Sequence, residues 1–151
     1  MSNLTFLLGG ARNGKSTAAV RLALETGRPV VFIATGEARD EEMATRIERH
    51  RSERPTEWET IEAPAALSDA LLKVPVNAVA IVDCLTLWVS NLMELGDSDT
   101  EIEHKATLAA QLASERPSPT IAVSNEVGLG LVPMDEMSRR YRDLLGRVNA
   151  I

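Results

Sequence analysis

The sequence predicts an α/β fold in which a mainly parallel sheet is covered by helices on both faces. Two observations lead to this prediction. Short apolar or β-branched runs alternate with helix-like segments along the whole chain, and no repeat, low-complexity tract or linker interrupts them. Hydrophobic residues make up 44% and charged residues 25% of the 151 residues, which is an ordinary globular composition. We therefore expect residues 1–151 to form a single domain.

The first elements are a strand, a helix and a second strand. Residues 4–8 are an apolar run that ends at two glycines, which is typical of a buried strand followed by a tight turn. A helix is predicted over 16–26, because its apolar residues share one face and Gly27 follows as a stop. Residues 29–35 are rich in β-branched side chains and predict a second buried strand.

The middle of the chain adds two strands and two helices. Residues 40–53 predict a highly charged helix with acidic residues in its first turn, and 57–62 a short strand. A helix is predicted over 64–73, with a proline in its first turn. Residues 78–83 give the clearest buried strand, since five small or branched apolar residues end in a carboxylate.

The last third continues the alternation. A helix is predicted around 85–95, and a capping-box pattern at Ser98 opens another that runs to about residue 115. Residues 120–124 predict a strand. An apolar stripe predicts a final helix over 133–148.

Charge and cysteine content exclude several classes of protein. Sixteen basic and 22 acidic residues give a net charge of −6, which disfavours nonspecific binding to nucleic acid or to an anionic membrane. The single cysteine, Cys84, excludes an internal disulfide and a zinc site built on several cysteines, and we expect it to be a small buried hydrophobe. The N-terminus lacks the basic region of a signal peptide, and no apolar run is long enough to span a bilayer, so a cytoplasmic protein is expected.

Residues 9–16 match the phosphate-binding pattern G-x-x-x-x-G-K-[ST]. The pattern lies between a predicted strand and a predicted helix, where backbone N–H groups and the helix dipole can hold a phosphate. The lysine can reach the β- and γ-phosphates, and the serine hydroxyl can bind Mg²⁺. A glycine-rich turn that merely starts a helix is the alternative. The motif predicts a P-loop NTPase-like (RecA-like) fold and a nucleotide site that contains Gly9, Gly10, Ala11, Arg12, Asn13, Gly14, Lys15 and Ser16.

Asp83 ends the most hydrophobic predicted strand. A carboxylate at that place would face a magnesium–phosphate cluster, as the second acidic element of P-loop enzymes does. Alternatively it only marks the end of the strand. We predict Ser16 and Asp83 as the protein ligands of Mg²⁺.

A cationic column is predicted on the helix over 40–53. Arg46 and His50 are four residues apart and therefore share one side, and Arg54 follows four residues later. Neighbouring cations disfavour the imidazolium form, and a neutral imidazole beside guanidinium groups could attack a phosphate ester. A solvated helix face explains the same pattern. His104, on the polar side of another helix, has no such neighbours and is expected at the surface.

Blocks of residues spread over nearly the whole chain resemble the bifunctional adenosylcobinamide kinase and adenosylcobinamide-phosphate guanylyltransferase family of cobalamin biosynthesis. In chain order these blocks are GGARNGKS (9–16), AT (34–35), DEEMATRIERHRSERP (40–55), WET (58–60) with Glu62, DCLTLW (83–88) with NL (91–92), SNEVGLGLVP (124–133), RRYRD (139–143) and GRVN (146–149). The combined match is far more specific than the phosphate loop alone.

The resemblance implies two reactions at one nucleotide site. A nucleoside triphosphate, ATP or GTP, phosphorylates the hydroxyl of the aminopropanol arm of adenosylcobinamide. GTP then guanylylates a histidine, and GMP passes from it to the cobinamide phosphate to give adenosyl-GDP-cobinamide. The family's nucleophilic histidine corresponds to His50.

The resemblance also implies the nucleotide contacts. They fall on residues 9–16 and on Ala34, Thr35, Gly36, Arg51, Ser52, Glu53, Arg54, Glu62 and Asp83. Glu62 could accept hydrogen bonds from guanine or ribose, but it would equally suit a surface carboxylate. Asn125 and Glu126 lie in a loop after the last predicted strand, which either contacts substrate or forms a structural turn.

The chain departs from the family pattern at two places. Asn13 stands where the family usually has serine. The family continues with a further helical part and one more strand, so we expect a sheet edge that lacks a neighbour or is completed by a partner subunit. The resemblance implies a homo-oligomer, a trimer with active sites between subunits. The competing hypotheses are a plain small-molecule P-loop kinase and a truncated, non-catalytic nucleotide-binding protein.

Overall fold

The computed structural model describes residues 4–9, 15–36, 55 and 57–125, and for residues 6, 8, 9, 15–17 and 125 it describes only the backbone. Within these ranges the strands are β1 (Leu4–Gly9), β2 (Val30–Ala34), β3 (Glu59–Glu62), β4 (Val79–Asp83) and β5 (Thr120–Asn125). The helices are α1 (Lys15–Glu25), α2 (Leu67–Lys73), α3 (Leu85–Glu94) and α4 (Asp99–Glu115). The predicted helices over 40–53 and 133–148 lie outside the described residues.

The five strands form one sheet in the order β1-β5-β4-β2-β3. Every pairing is parallel, which confirms the predicted sheet type. Because the strands all run in the same direction, their carboxyl ends lie at one edge of the sheet, which we call the carboxyl edge.

Helix α1 covers one face of the sheet. Alternate residues of a strand point to the same face, so every second residue of β2, β4 and β5 packs toward α1. The buried cluster on this face, the α1-side cluster, consists of Ala19, Ala23, Val30, Phe32, Val79, Ile81, Cys84, Ile121 and Val123. Gly27, two residues after the end of α1, has a positive φ of 68°, as expected for a glycine that follows a helix.

Helices α2, α3 and α4 cover the opposite face. Their apolar residues meet the other alternate residues of the strands, such as Ile33 of β2 and Val82 of β4. Trp88 of α3 and Ile102 of α4 are 1% and 0% exposed. Helices therefore lie on both faces, as the sequence predicts.

Helix α2 begins later than predicted. We expected a helix from residue 64 with a proline in its first turn, but α2 starts at Leu67, and Ala66 occupies the N-cap position without a side-chain cap. The main-chain oxygens of Pro64 and Ala65 accept hydrogen bonds from side chains of α3. These tertiary contacts hold residues 64 and 65 outside the helix.

The predicted capping box opens α4. The Ser98 hydroxyl accepts a hydrogen bond from the Glu101 amide at 3.1 Å, and the Glu101 carboxylate accepts one from the Ser98 amide at 3.1 Å. We expect Ser98→Ala to lower the free energy of unfolding by about 1 kcal/mol, because one amide at the start of the helix loses its partner. Urea unfolding measures this change. Thr107→Ala, farther along the same helix, is the control, and an equal loss in both variants would contradict the capping role.

Arg116 forms hydrogen bonds near the starts of β4 and β5, at the edge of the sheet opposite the carboxyl edge, which we call the amino edge. Its Nη2 donates to the main-chain oxygens of Ala78 at 2.7 Å and Pro75 at 3.0 Å, and its Nη1 donates to the Thr120 hydroxyl at 3.1 Å. Partial burial lowers the pKa of the Arg116 guanidinium. Arg116 thus connects the segments that lead into β4 and β5.

Two sequence expectations about single residues are confirmed. Cys84 is buried, at 6% exposure, and belongs to the α1-side cluster, whereas His104 is exposed on α4. Among the described helices, none combines the length and hydrophobicity needed to cross a membrane.

Candidate active site

The ends of β1, β2, β3 and β4 bring predicted nucleotide-binding residues to the carboxyl edge. Ala34, the last residue of β2, pairs with Glu62 at the end of β3 on one side and with Asp83 at the end of β4 on the other. Gly9 ends β1 and pairs with Asn125 at the end of β5. Glu62, Ala34 and Asp83, which are far apart in the sequence, therefore lie in one row. Gly9 and Asn125 lie two residues farther along their strands, because Asp83 pairs with Val123.

The register also places Glu62 and Asp83 on the same face of the sheet. Asp83 lies two residues after Ile81 and four after Val79 on β4, so it belongs to the face of the sheet that carries the α1-side cluster. Residues that are directly paired across neighbouring strands also point to the same face. Glu62 and Asp83 flank Ala34, so two strand spacings separate their Cα atoms by about 10 Å. A row of this width suits an elongated ligand with several polar groups, such as a nucleotide.

Helix α1 begins at Lys15, six residues after β1 ends at Gly9. It packs against β1, β4 and β5, on the face to which Asp83 belongs. The unpaired N–H groups of its first turn lie at the end that carries the positive pole of the helix dipole, which favours a bound anion. Gly10, Ala11, Arg12, Asn13 and Gly14 of the motif lie outside the described residues.

Thr35, which directly follows β2, is fully buried at 0% exposure. Its hydroxyl donates to the Cys84 main-chain oxygen at 2.7 Å and accepts from the Cys84 amide at 2.8 Å, while its own amide donates to the Asp83 oxygen at 3.1 Å. The Asp83–Cys84 peptide bond is cis. Thr35 therefore uses its polar groups to hold the exit of β4, where Asp83 lies. Contact of Thr35 with a nucleotide stays a prediction.

The sequence patterns did not reveal the tertiary hydrogen bonds of Asn91 and Trp88, which the resemblance included only as part of a motif. Asn91 is 5% exposed, and its Nδ2 donates to the main-chain oxygens of Thr35 at 2.8 Å and Pro64 at 3.0 Å. The Trp88 indole Nε1 donates to the Ala65 oxygen at 2.9 Å. An asparagine on the apolar face of a predicted helix was the signal that could have revealed this arrangement.

The predicted nucleophile and its neighbours lie outside the described residues. These are His50, Arg51, Ser52, Glu53 and Arg54. Their segment follows Gly36, which comes two residues after β2 at the carboxyl edge, and leads back to Pro55 ahead of β3. Their roles stay predictions.

The described residues fit a magnesium ion that is held mainly by a nucleotide. They contain no group of three His, Cys, Asp or Glu side chains able to hold a metal. Mg²⁺ in phosphate-transferring enzymes needs only one or two protein ligands, because phosphate oxygens and water complete its coordination. Asp83, at the carboxyl edge, provides one hard oxygen donor of that kind.

The comparisons with known proteins agree with this geometry. A family model described as "Cobinamide kinase / cobinamide phosphate guanyltransferase" matches residues 5–151. The chain belongs to this family. The bifunctional adenosylcobalamin biosynthesis protein CobP of Pseudomonas aeruginosa is 46% identical over 141 residues, which cover 93% of this chain and 81% of that protein. The corresponding protein CobU of Escherichia coli is 36% identical and covers 97% of this chain and 87% of that protein.

Members of the cobinamide kinase / cobinamide phosphate guanyltransferase family are enzymes of cobalamin biosynthesis, and their fold relates to other P-loop proteins. A crystal structure of the RadB recombinase superposes with a TM-score of 0.56 at 17% identity and covers 97% of this chain and 71% of that one. A type III secretion ATPase gives a TM-score of 0.57 at 12% identity and covers 99% of this chain and 49% of that one. At these identities the likeness concerns the fold, and it confirms the predicted RecA-like P-loop NTPase class.

Proposed function

We propose that the chain carries out both reactions for which its family is named: it phosphorylates adenosylcobinamide with a nucleoside triphosphate and then transfers GMP from GTP to the product. The convergence of Gly9, Ala34, Glu62 and Asp83 on one sheet edge, beside the start of α1, supports one nucleotide site for both reactions. The 46% identity to a bifunctional adenosylcobalamin biosynthesis protein supports the substrate.

In the first reaction, the substrate hydroxyl oxygen attacks the γ-phosphorus and loses its proton to water, while the bond between that phosphorus and the bridging oxygen breaks. The nucleoside diphosphate leaves. The phosphate loop, with Lys15 and the N-terminus of α1, holds the triphosphate and neutralises the charge that moves onto the leaving group. Ser16 and Asp83 would hold Mg²⁺, which offsets phosphate charge when it is bound.

In the second reaction, we propose that an imidazole nitrogen of His50 attacks the α-phosphorus of GTP and that pyrophosphate leaves. A phosphate oxygen of the cobinamide phosphate then attacks the same phosphorus, the N–P bond breaks, and the imidazole is released. Two successive displacements of this kind are the usual logic of nucleophilic catalysis. Arg51 and Arg54 are proposed to bind the phosphate oxygens, and Glu62 the guanine or the ribose.

The corrinoid is large, and a single chain of 151 residues offers little surface to enclose it. We therefore propose that the enzyme works as a homo-oligomer, with the site completed by a neighbouring copy. ATP and GTP are both candidates for the phosphoryl donor of the first reaction.

Labelled GTP tests the proposal directly. We expect the chain to acquire ³²P from [α-³²P]GTP but not from [γ-³²P]GTP, because the proposed intermediate retains only the α-phosphorus. The protein-bound label should be lost in acid and kept in base, as an N–P bond would be. Added cobinamide phosphate should remove it as a GDP-linked product. A plain kinase would phosphorylate cobinamide without any α-label on the protein, and a non-catalytic nucleotide-binding protein would do neither.

A further inference from the structure

We propose that Thr35 is a positioning residue for the magnesium site. It fixes the main chain that follows Asp83, so that the carboxylate of Asp83 keeps the place in which it serves as a metal ligand. This inference rests on the proposed function, which makes Asp83 a ligand of Mg²⁺. It deepens that function by assigning to Thr35 a role that acts through Asp83 in both reactions.

The polar groups of Thr35 all have protein partners. Its amide donates to the Asp83 main-chain oxygen, and its hydroxyl both accepts from the Cys84 amide and donates to the Cys84 oxygen. Its own main-chain oxygen accepts from Nδ2 of Asn91. Thr35 is 0% exposed, so breaking any of these bonds would leave a buried polar group without that partner. Thr35 therefore connects the end of β2 firmly to the main chain at the end of β4.

The Thr35 hydroxyl extends the pairing of β2 and β4 by one residue. The pairing ends at Ala34 and Asp83, and α3 begins at Leu85. Cys84 lies between them, and its amide and its oxygen both bind the hydroxyl. The β-branched side chain of threonine has few rotamers, which restricts the position of this hydroxyl. The main chain is thus held at Asp83 by the sheet and directly after Asp83 by Thr35, and this fixes the direction in which the carboxylate leaves the sheet.

A metal ligand depends on such support. Mg²⁺ needs a nearly ideal octahedral arrangement of oxygen atoms, so a small displacement of one ligand weakens its binding. Asp83 ends β4 at the carboxyl edge, on the face of the sheet against which α1 packs. A shift of the Cys84 main chain would therefore move the Asp83 carboxylate relative to a nucleotide bound at the start of α1.

The test measures how strongly Mg²⁺ promotes nucleotide binding to the full-length chain. The ligand is a GTP analogue with a methylene group between its α- and β-phosphorus atoms, which prevents guanylyl transfer. Titration calorimetry gives its dissociation constant in EDTA and in excess Mg²⁺. The ratio of the first constant to the second, the magnesium ratio, reports the coupling between metal and nucleotide.

Thr35→Val should lower the magnesium ratio toward the value of Asp83→Asn, in which the ligand itself is lost. Its dissociation constant in EDTA should stay at the wild-type value. Both reactions should slow together by about 10- to 100-fold, the usual effect of losing a residue that holds a metal ligand in place. Adding Thr35→Val to Asp83→Asn should have little further effect on the magnesium ratio, because two residues that act through the same ligand are not additive.

Two control variants separate positioning from stability. Thr35→Ser keeps the hydroxyl and should keep a magnesium ratio near that of the wild type. Thr120→Val makes the same substitution at the amino edge, where Thr120 is 1% exposed and its hydroxyl accepts a hydrogen bond from Arg116. Thr120→Val should lower stability in urea and leave the magnesium ratio unchanged.

An unchanged magnesium ratio in Thr35→Val, an equal loss in Thr120→Val, or independent effects of Thr35→Val and Asp83→Asn would each overturn the proposal. Weaker binding of the analogue in EDTA would also overturn it, since Thr35 would then support the nucleotide itself. If Thr35→Val does not fold, Thr35→Cys replaces it, because a thiol forms only weak hydrogen bonds, and the same results are expected. A wild-type chain that binds the analogue equally well with and without Mg²⁺ would overturn the metal site of the proposed function, which separates the two failures.

Discussion

Replacing Lys15 by alanine should greatly slow both the phosphorylation of cobinamide and the labelling of the protein by GTP. Lys15 is the first residue of α1 and the lysine of the phosphate-binding motif. Both proposed reactions need the triphosphate held at this helix, and both develop negative charge on phosphate oxygens that leave. Removing one cationic group from such a site lowers rates by about 10²- to 10³-fold. Transfer from [γ-³²P]ATP or [γ-³²P]GTP to cobinamide, and incorporation from [α-³²P]GTP, measure the two losses.

Lys73→Ala is the control for Lys15→Ala. Lys73 is an exposed residue in the last turn of α2, so this substitution makes the same change in net charge without touching the phosphate loop. It should leave both rates close to the wild-type values, and thermal unfolding should show that both variants fold. Normal phosphorylation by Lys15→Ala would contradict the idea of one shared triphosphate site.

Replacing His50 by alanine should separate the two reactions. Without an imidazole the chain cannot form the proposed N–P bond, so α-label on the protein should disappear and GMP transfer should fall to background. Phosphorylation of cobinamide should continue within about threefold of the wild-type rate, because γ-phosphoryl transfer to a hydroxyl does not use this nucleophile. Acid and base treatment of the labelled wild-type protein identifies the type of bond that the variant lacks.

The chain provides its own control for this experiment. It contains two histidines, and the other one, His104, is exposed on α4. His104→Ala should label and transfer like the wild type. Persistent acid-labile label on His50→Ala would show that another residue is the nucleophile, and equal loss of both reactions would show that His50 acts on the triphosphate as a whole.

Local patterns predicted most elements of the described fold. β4 illustrates this, because an uninterrupted run of small and branched apolar residues suits a strand that is covered on both faces. The capping box at Ser98 also acts through residues only three apart, so it could be recognised without the rest of the molecule. The predicted start of α2 was wrong because it depends on contacts between residues that are distant in the chain. The groups that keep Pro64 and Ala65 out of the helix belong to α3, more than twenty residues later in the chain.

The candidate site likewise contains features that the sequence predicts and features that depend on tertiary packing. Gly9, where the phosphate-binding motif begins, and Asp83 each end a strand that the sequence predicts, so their place at the carboxyl edge follows from the parallel sheet. The buried hydrogen bonds of Thr35 and the bridge made by Asn91 could not be predicted. A polar side chain on an apolar face shows only that some partner exists, and the partner is chosen by how the helix packs on the sheet.

The sequence by itself determined the alternation of strands and helices, the phosphate-binding motif and the resemblance to a family, because each depends on residue order and short-range spacing. Only the tertiary structure decided the strand order, the register that sets Glu62, Ala34 and Asp83 side by side, and the connection of the exits of β2 and β3 through Asn91 of α3. These features depend on pairings between residues that are distant in the chain. A period of two or of 3.6 residues describes one element at a time and says nothing about which element packs beside it.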